Sequence, residues 1–290
     1  MKKILYILAA LVLLASCQKD AGVQASEEAV VTYDVKAPIE FEIKSAGQGT
    51  GQGTGQGNAI NALWYGVYHK KAEDTYRYMS DMSDFVQVTD INDISVPITL
   101  FKDQEYKIIF VAQHIEPVTS ADGTTTNRYT YNINSDGDMS LNPEALITDT
   151  EQLDAFDYWE QLDAFVYWEK TGVIQNDSKK NVTLSRPLAQ INISTTAAEK
   201  PSKIDIAVSG AAASYNIFSG AYSAPADTPL SFRGLKCSGT DLATLYILPA
   251  GNSVDLTLSK YYEGDTIPVE MTVSSVSVAP NYKTNVKGNI

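Results

Sequence analysis

The sequence is poor in the residues that most enzymes and stapled domains depend on: 290 positions carry two cysteines, two histidines and three tryptophans. Two cysteines cannot build a disulfide framework. His69 and His114 lie 45 positions apart, outside any H-E-x-x-H spacing, and no Cys or acid is placed to complete a zinc site with them. The G-x-S-x-G elbow of a serine hydrolase is absent, and neither His has a recognisable triad partner. Basic residues are scarce as well, 22 against 35 acidic ones for a net charge of -13, with no local Lys/Arg cluster. Such a chain repels phosphate backbones, which excludes nucleic-acid binding. The longest apolar run, residues 4–14, falls short of the ~20 residues a spanning helix needs.

What the N-terminus does carry is an export signal. Lys2 and Lys3 precede the apolar run, and Leu14-Ala15-Ser16 supplies small residues for cleavage. The next residue is Cys17, so Leu14-Ala15-Ser16-Cys17 resembles a bacterial lipobox, in which the thiol is alkylated by diacylglycerol before the signal peptide is removed. An ordinary signal peptide that happens to carry a Cys is the alternative. Several acyl chains hold a protein to a membrane firmly where one binds reversibly, so lipid on Cys17 anchors without a transmembrane helix. Residues 1–16 are read as the signal peptide and 17–29 as acylated Cys plus flexible tether. Cys17-Gln18-Lys19-Asp20 also looks like the start of a signal that sends lipoproteins to the outer face of the outer membrane. With Cys17 acylated, Cys237 has no intrachain partner and is expected to be a buried, inert thiol.

Beyond the tether, period-two alternation recurs at Val31/Tyr33/Val35, Ile39/Phe41/Ile43, Ile204/Ile206/Val208, Val254/Leu256/Leu258 and Ile267/Val269/Met271/Val273, the pattern of half-buried antiparallel strands. Residues 106–112 and 245–248 are denser apolar runs, expected as strands covered on both faces. Ala121-Asp122-Gly123 and Ser135-Asp136-Gly137 read as turns. No strands alternate with capped amphipathic helices, which argues against a doubly wound α/β fold. The fold class is therefore mostly β, with residues 30–200 forming an N-terminal sandwich and 201–290 a C-terminal β lobe.

Two repeats interrupt this pattern. Residues 47–57 are a Gly-Gln-Gly-Thr repeat, expected as a disordered loop because it offers nothing bulky to pack. A phosphate cradle would need a G-x-G-x-x-G or Lys-Ser/Thr context that strict alternation does not supply. Residues 151–159 recur as 160–168, with Asp157 replaced by Val166. Nine steps leave the two copies half a turn out of phase on a helix or strand, so one copy must bulge or loop out. The acids in this duplication, Asp154, Asp157, Glu160 and Asp163, could be imagined as a glycosidase pair but are read as solvated surface charge. Its aromatics could instead form a ligand strip. Residues 132–137 imitate the opening of a calcium loop, yet position twelve is Pro143, so a plain turn is expected. Asp265-Thr266-Ile267 resembles an O-glycosylation acceptor, but three residues are a weak signal and a simple strand-entry turn is the preferred reading. No metal, cofactor or catalytic residue is assigned.

Several segments in order are similar to the fimbrillin-like surface lipoproteins, relatives of type V pilin subunits of Gram-negative anaerobes. They are residues 31–46 leading to Leu63-Trp64-Tyr65-Gly66-Val67-Tyr68, then residues 98–113, then Asp163-Ala164-Phe165-Val166-Tyr167 with Leu184-Ser185-Arg186-Pro187-Leu188-Ala189-Gln190, and finally residues 281–289. The resemblance implies a transthyretin-like antiparallel β-sandwich of two lobes and a structural or adhesive role at the cell surface. In polymerising relatives a protease cuts after a basic residue near the first strand, and another subunit's strand fills the vacated groove. The first Arg here is Arg77, so Lys36 and Lys44 are the candidate processing sites. Relatives commonly continue past the equivalent of Gly288-Asn289 into another strand, so this member is read as either truncated or non-polymerising. The implied partners are a membrane through the lipid, other fimbrial subunits by strand addition, and host or bacterial surface glycans. The competing reading is a glycan-binding surface lipoprotein of a nutrient-uptake system, with Trp64, Trp159 and Trp168 as sugar-stacking platforms.

Overall fold

The computed structural model describes residues 26–37, 42–43, 59–120, 122–142, 161–237 and 239–290. The described residues contain no α-helix and are mostly strand, with a 3-10 turn at Ser80–Met82. The architecture is a β-sandwich of two lobes.

The first sandwich packs a three-stranded sheet, in the order β13 (Ser178–Thr183), β1 (Glu28–Lys36), β6 (Ile94–Phe101), against a five-stranded one. The latter runs β12 (Ala164–Val173), β7 (Glu105–Gln113), β3 (Ala62–Ala72), with β4 (Thr75–Tyr78) and β5 (Asp84–Gln87) both pairing on β3. β6 alternates strictly, burying Ile94, Val96, Ile98 and Leu100 and exposing the residues between, as a strand with one wet face should. Pro97 is tolerated because β6 is an edge strand, where a missing N–H need not break a ladder. The buried face of β1 meets Leu63, Val67, Ile108, Phe110 and Phe165 of the opposite sheet in one continuous cluster.

The second sandwich sets β19 (Asp241–Ile247), β14 (Ala189–Thr195), β22 (Tyr282–Gly288) and β2 (Glu42–Ile43) against β18 (Leu230–Lys236), β15 (Lys203–Ser209), β20 (Ser253–Tyr261) and β21 (Val269–Ser277). Its core also takes in the outer face of the five-stranded sheet, through Tyr68, Ile109, Val111, Ala164 and Val166. β7 is thus covered on both sides, which is why residues 106–112 read as a dense apolar run broken only by Lys107. The chain crosses from one sandwich to the other at residues 184–188, so β14 already belongs to the second.

A small sheet, β10 (Tyr131–Ile133), β11 (Asp138–Leu141), β16 (Tyr215–Asn216) and β17 (Ala221–Tyr222), takes two strands from each half of the chain and bridges the lobes. The Ser135-Asp136-Gly137 segment is the β10–β11 turn: Asn134 Oδ1 accepts from the Asp136 and Asp138 N–H groups, and Gly137 supplies a φ of 79°. β8 (Ile115–Thr119) and β9 (Thr125–Tyr129) form a separate hairpin. Most pairs are antiparallel, but β1–β13, β14–β22 and β2–β22 are parallel.

Candidate functional site

β1 lies between two partners that come from far along the chain. It is central in its sheet, antiparallel to β6 from Glu28↔Phe101 to Val35↔Ile94 and parallel to β13 from Val31↔Ser178 to Lys36↔Thr183. Ala29, Val31, Tyr33 and Val35 are each no more than 1% exposed. Burying an apolar side chain of Val or Leu size contributes roughly 1.5–3 kcal/mol, so this face carries most of the strand's docking energy.

Tyr33 fixes the register. Its ring packs edge-on against Phe110 with centroids 5.0 Å apart, and its phenol donates to Glu169 Oε1 at 2.7 Å. Lys180 of β13 donates to the same oxygen at 2.5 Å. Burial, and then the Glu169 carboxylate, push the Tyr33 phenol far above its ordinary range, so it stays a donor. A one-residue slip would turn Tyr33 to solvent and leave this buried arrangement empty. The rim is tied more weakly, by Lys179–Asp34 at 2.7 Å, Lys102–Glu27 at 2.8 Å and Val30 N–H to Asp177 Oδ1 at 2.8 Å.

Lys36 is the last residue of β1 and is exposed, while its carbonyl accepts from Leu184 N–H at 2.8 Å. Lys44, Trp159, Cys17, the Gly-rich repeat and the first copy of the duplication lie outside the described residues. Trp64 and Trp168 project from one face of the five-stranded sheet, both half-buried against the core. The Trp64 ring lies over Gly66, where an added Cβ would sit 2.4 Å from the ring, and stacks towards Tyr78 at 6.5 Å. Trp168 meets Phe218 edge-on at 5.6 Å. Between them Lys107 holds its ammonium 4.3 Å from the Tyr76 ring and 4.6 Å from Phe218; burial first, then Lys170, pull it below the ordinary lysine range.

Asp163 corrects the sequence reading. It is not solvated surface charge but fully buried, gripped by Arg186 Nε and Nη2 at 2.8 Å each, with Arg186 also donating from Nη1 to Asn281 Oδ1 at 2.8 Å. The guanidinium lies 4.3 Å from the Phe165 ring centroid. One residue therefore ties the start of β12, the crossing segment and the turn before β22. The sequence signal was the Leu-Ser-Arg-Pro-Leu run itself, an arginine in a mostly apolar stretch, which spacing alone could not pair with an acid 23 positions upstream.

The remaining reactive groups are scattered. His69 Nε2 bonds Gln104 Oε1 at 2.8 Å and His114 Nδ1 bonds the Ala59 carbonyl at 2.8 Å, on separate parts of the sheet. Among the described residues no three His, Cys, Asp or Glu side chains converge as a metal site. Cys237 is half-buried, and burial pushes its thiol up to about 12. No described helix is long and apolar enough to cross a membrane.

A family model described as a family of unknown function, DUF6562, matches residues 26–290, the whole of both sandwiches. The chain belongs to DUF6562. No curated protein matches its sequence. Among solved structures this DUF6562 member is similar to a candidate polysaccharide-binding protein (DUF1812) from Bacteroides thetaiotaomicron, at 9% identity over 89% of this chain and 90% of that one, TM-score 0.49. It is also similar to the fimbrial anchor protein Mfa2 from Porphyromonas gingivalis, at 11% identity over 86% and 82%, TM-score 0.39. A fimbrial assembly protein from Parabacteroides distasonis matches at 13% identity over 90% of each chain, TM-score 0.36.

Proposed function

We propose that this chain is a non-enzymatic cell-surface protein, held to the outer membrane by lipid on Cys17 and a tether that ends where β1 begins at Glu28. It serves as a fimbrial anchor, accessory or minor subunit, or as an adhesin. The observation that carries this reading is the placement of β1. A strand from the N-terminal end is wedged between β6 and β13, contributes a full buried face, and ends at the exposed Lys36. A cut there would remove a whole strand and leave two facing ladders unpaired, the geometry that strand addition repairs.

An adhesin or a fimbrial subunit needs surface and rigidity rather than a reactive centre. Two packed sandwiches bridged by a shared sheet and a buried ion pair supply both. The glycan-binding alternative draws less support from its proposed platforms, because Trp64 and Trp168 spend much of their ring surface on Gly66, Tyr78 and Phe218.

Mass spectrometry of the native surface form tests the reading. An intact, acylated N-terminus at Cys17 is the expected result for an anchor, and a start at Ala37 or Ser45 for a processed subunit. Cys17→Ala should move the protein out of the membrane fraction; unchanged fractionation would refute the lipid anchor.

A further inference from the structure

A cleft of about 400 Å³ opens where the crossing segment, the β16–β17 hairpin and the turn before β22 meet. That volume lies within the range of small-ligand pockets, and the junction of two lobes is a common place for one. Its walls are Ser185, Arg186, Pro187, Tyr215, Tyr222 and Asn281 among others. Three features define what could occupy it.

The first is charge. Among the described residues of the lining Arg186 is the one ionised side chain, and its guanidinium is neutralised by the bidentate contact with Asp163. These described residues therefore offer an anion no unmatched cation, and a cation no acid. The second is an aromatic wall. The Tyr215 and Tyr222 rings pack with centroids 4.8 Å apart at 45°, and both line the opening. The Tyr222 phenol is spent, donating to the Pro187 carbonyl at 2.7 Å, which holds that ring in place. The third is a set of neutral polar groups left for a ligand. The Tyr215 hydroxyl makes no hydrogen bond to a described residue, and burial raises its phenol, so it remains protonated at any physiological pH. Asn281 accepts from Arg186 through Oδ1, which fixes the amide orientation and leaves both N–H bonds of Nδ2 without a described partner. Its backbone is equally fixed, at φ 58° with its N–H donating to the Leu188 carbonyl at 2.8 Å.

We propose that this cleft binds a neutral sugar, one hexopyranose unit of a glycan. The flat C–H face of a pyranose matches the tyrosine wall, and its hydroxyls match a phenol and a carboxamide better than any ionised ligand would. This site is distinct from the β1 groove and from the Trp64 and Trp168 surface, and it stands whether or not the chain exchanges strands.

The test uses the purified full chain and the methyl glycosides of glucose, galactose, mannose and N-acetylglucosamine, followed by saturation-transfer NMR and titration. At least one glycoside should receive saturation at its ring protons. Tyr215→Ala should then weaken binding roughly tenfold by removing the stacking face. Tyr215→Phe keeps the packing, so it tests the hydroxyl even if the alanine variant fails to fold; it should weaken binding by about threefold. Trp64→Ala should leave binding unchanged. The proposal is overturned if no glycoside binds, if both Tyr215 variants bind like the wild type, or if binding is lost with Trp64 instead. It is equally overturned if a proline-rich decapeptide binds in the cleft and no glycoside does.

Discussion

Replacing Arg186 by Met removes the cation from a pair whose two side chains are 0% exposed. Asp163 would then keep its bond from the Ala164 N–H at 2.9 Å and little else. Leaving one member of a buried pair uncompensated costs about 3–5 kcal/mol, a large part of the stability of an ordinary domain. Methionine refills much of the volume against Phe165, so the loss is electrostatic more than steric. The pH dependence follows from the direction of the carboxyl's shift. Burial pushes Asp163 up, and Arg186 and the Ala164 N–H pull it back down. Without Arg186 only the Ala164 N–H still opposes the upward push, so the folded variant holds a proton that the unfolded chain releases above about pH 4. Its stability therefore falls as pH rises beyond that point, and the deficit against wild type should be larger at pH 8 than at pH 5. Urea unfolding at both pH values, comparing midpoints at unchanged slope, measures this. The double variant Asp163→Leu with Arg186→Met should recover most of the loss. A single-variant loss below about 1 kcal/mol, or a deficit that shrinks with pH, would refute the reasoning.

Gly66→Ala places a methyl 2.4 Å from the Trp64 ring, so the ring must swing out; a loss of roughly 1–3 kcal/mol and a red-shifted tryptophan emission are expected in urea titrations followed by fluorescence. Cys237, with its thiol pushed to about 12, should react with iodoacetamide at pH 8 on the order of a thousandfold more slowly than a free thiol, and at the ordinary rate in denaturant. This is best measured in the Cys17→Ala chain, where it is the sole thiol. A chain beginning at Ala37 should bind a synthetic β1 peptide (residues 28–36) added in trans, and a peptide with Tyr33 moved by one position should bind at least tenfold more weakly by fluorescence anisotropy.

Much of the fold was legible because burial of one strand face leaves a period of two. β1, β15 and β20 appear where Val31/Tyr33/Val35, Ile204/Ile206/Val208 and Val254/Leu256/Leu258 alternate. Residues 106–112 and 245–248 read as strands covered on both faces, and they are buried throughout apart from Lys107. The alternation misled at Ile267, which is 79% exposed and precedes the strand that begins at Val269. Two things were not legible. Pairing partners were hidden, because β1 meets residues almost 150 positions away and nothing local specifies a parallel neighbour. The burial of Asp163 was hidden too: an acid in an acidic, duplicated stretch reads as surface until its arginine is seen across the lobe junction. The cleft shares that cause, since its walls come from three segments whose meeting depends on the bridging sheet.

The position of β1 also constrains what could replace it. β6 and β13 are each held to the opposite sheet by their own buried residues, Ile94, Val96, Ile98 and Leu100 on one side and Val182 on the other. Removing β1 would leave them two strand spacings apart, roughly 9.6 Å, too wide to pair with each other and the width of one strand. The two ladders then impose direction, because an occupant must run antiparallel to β6 and parallel to β13 at once. The vacated pockets impose sequence: small or branched apolar residues at the places of Ala29, Val31 and Val35, and an aromatic donor to Glu169 at the place of Tyr33. A groove that fixes direction, register and one buried hydrogen bond selects a specific strand rather than any extended peptide, and Glu169 is the residue through which that selection would act.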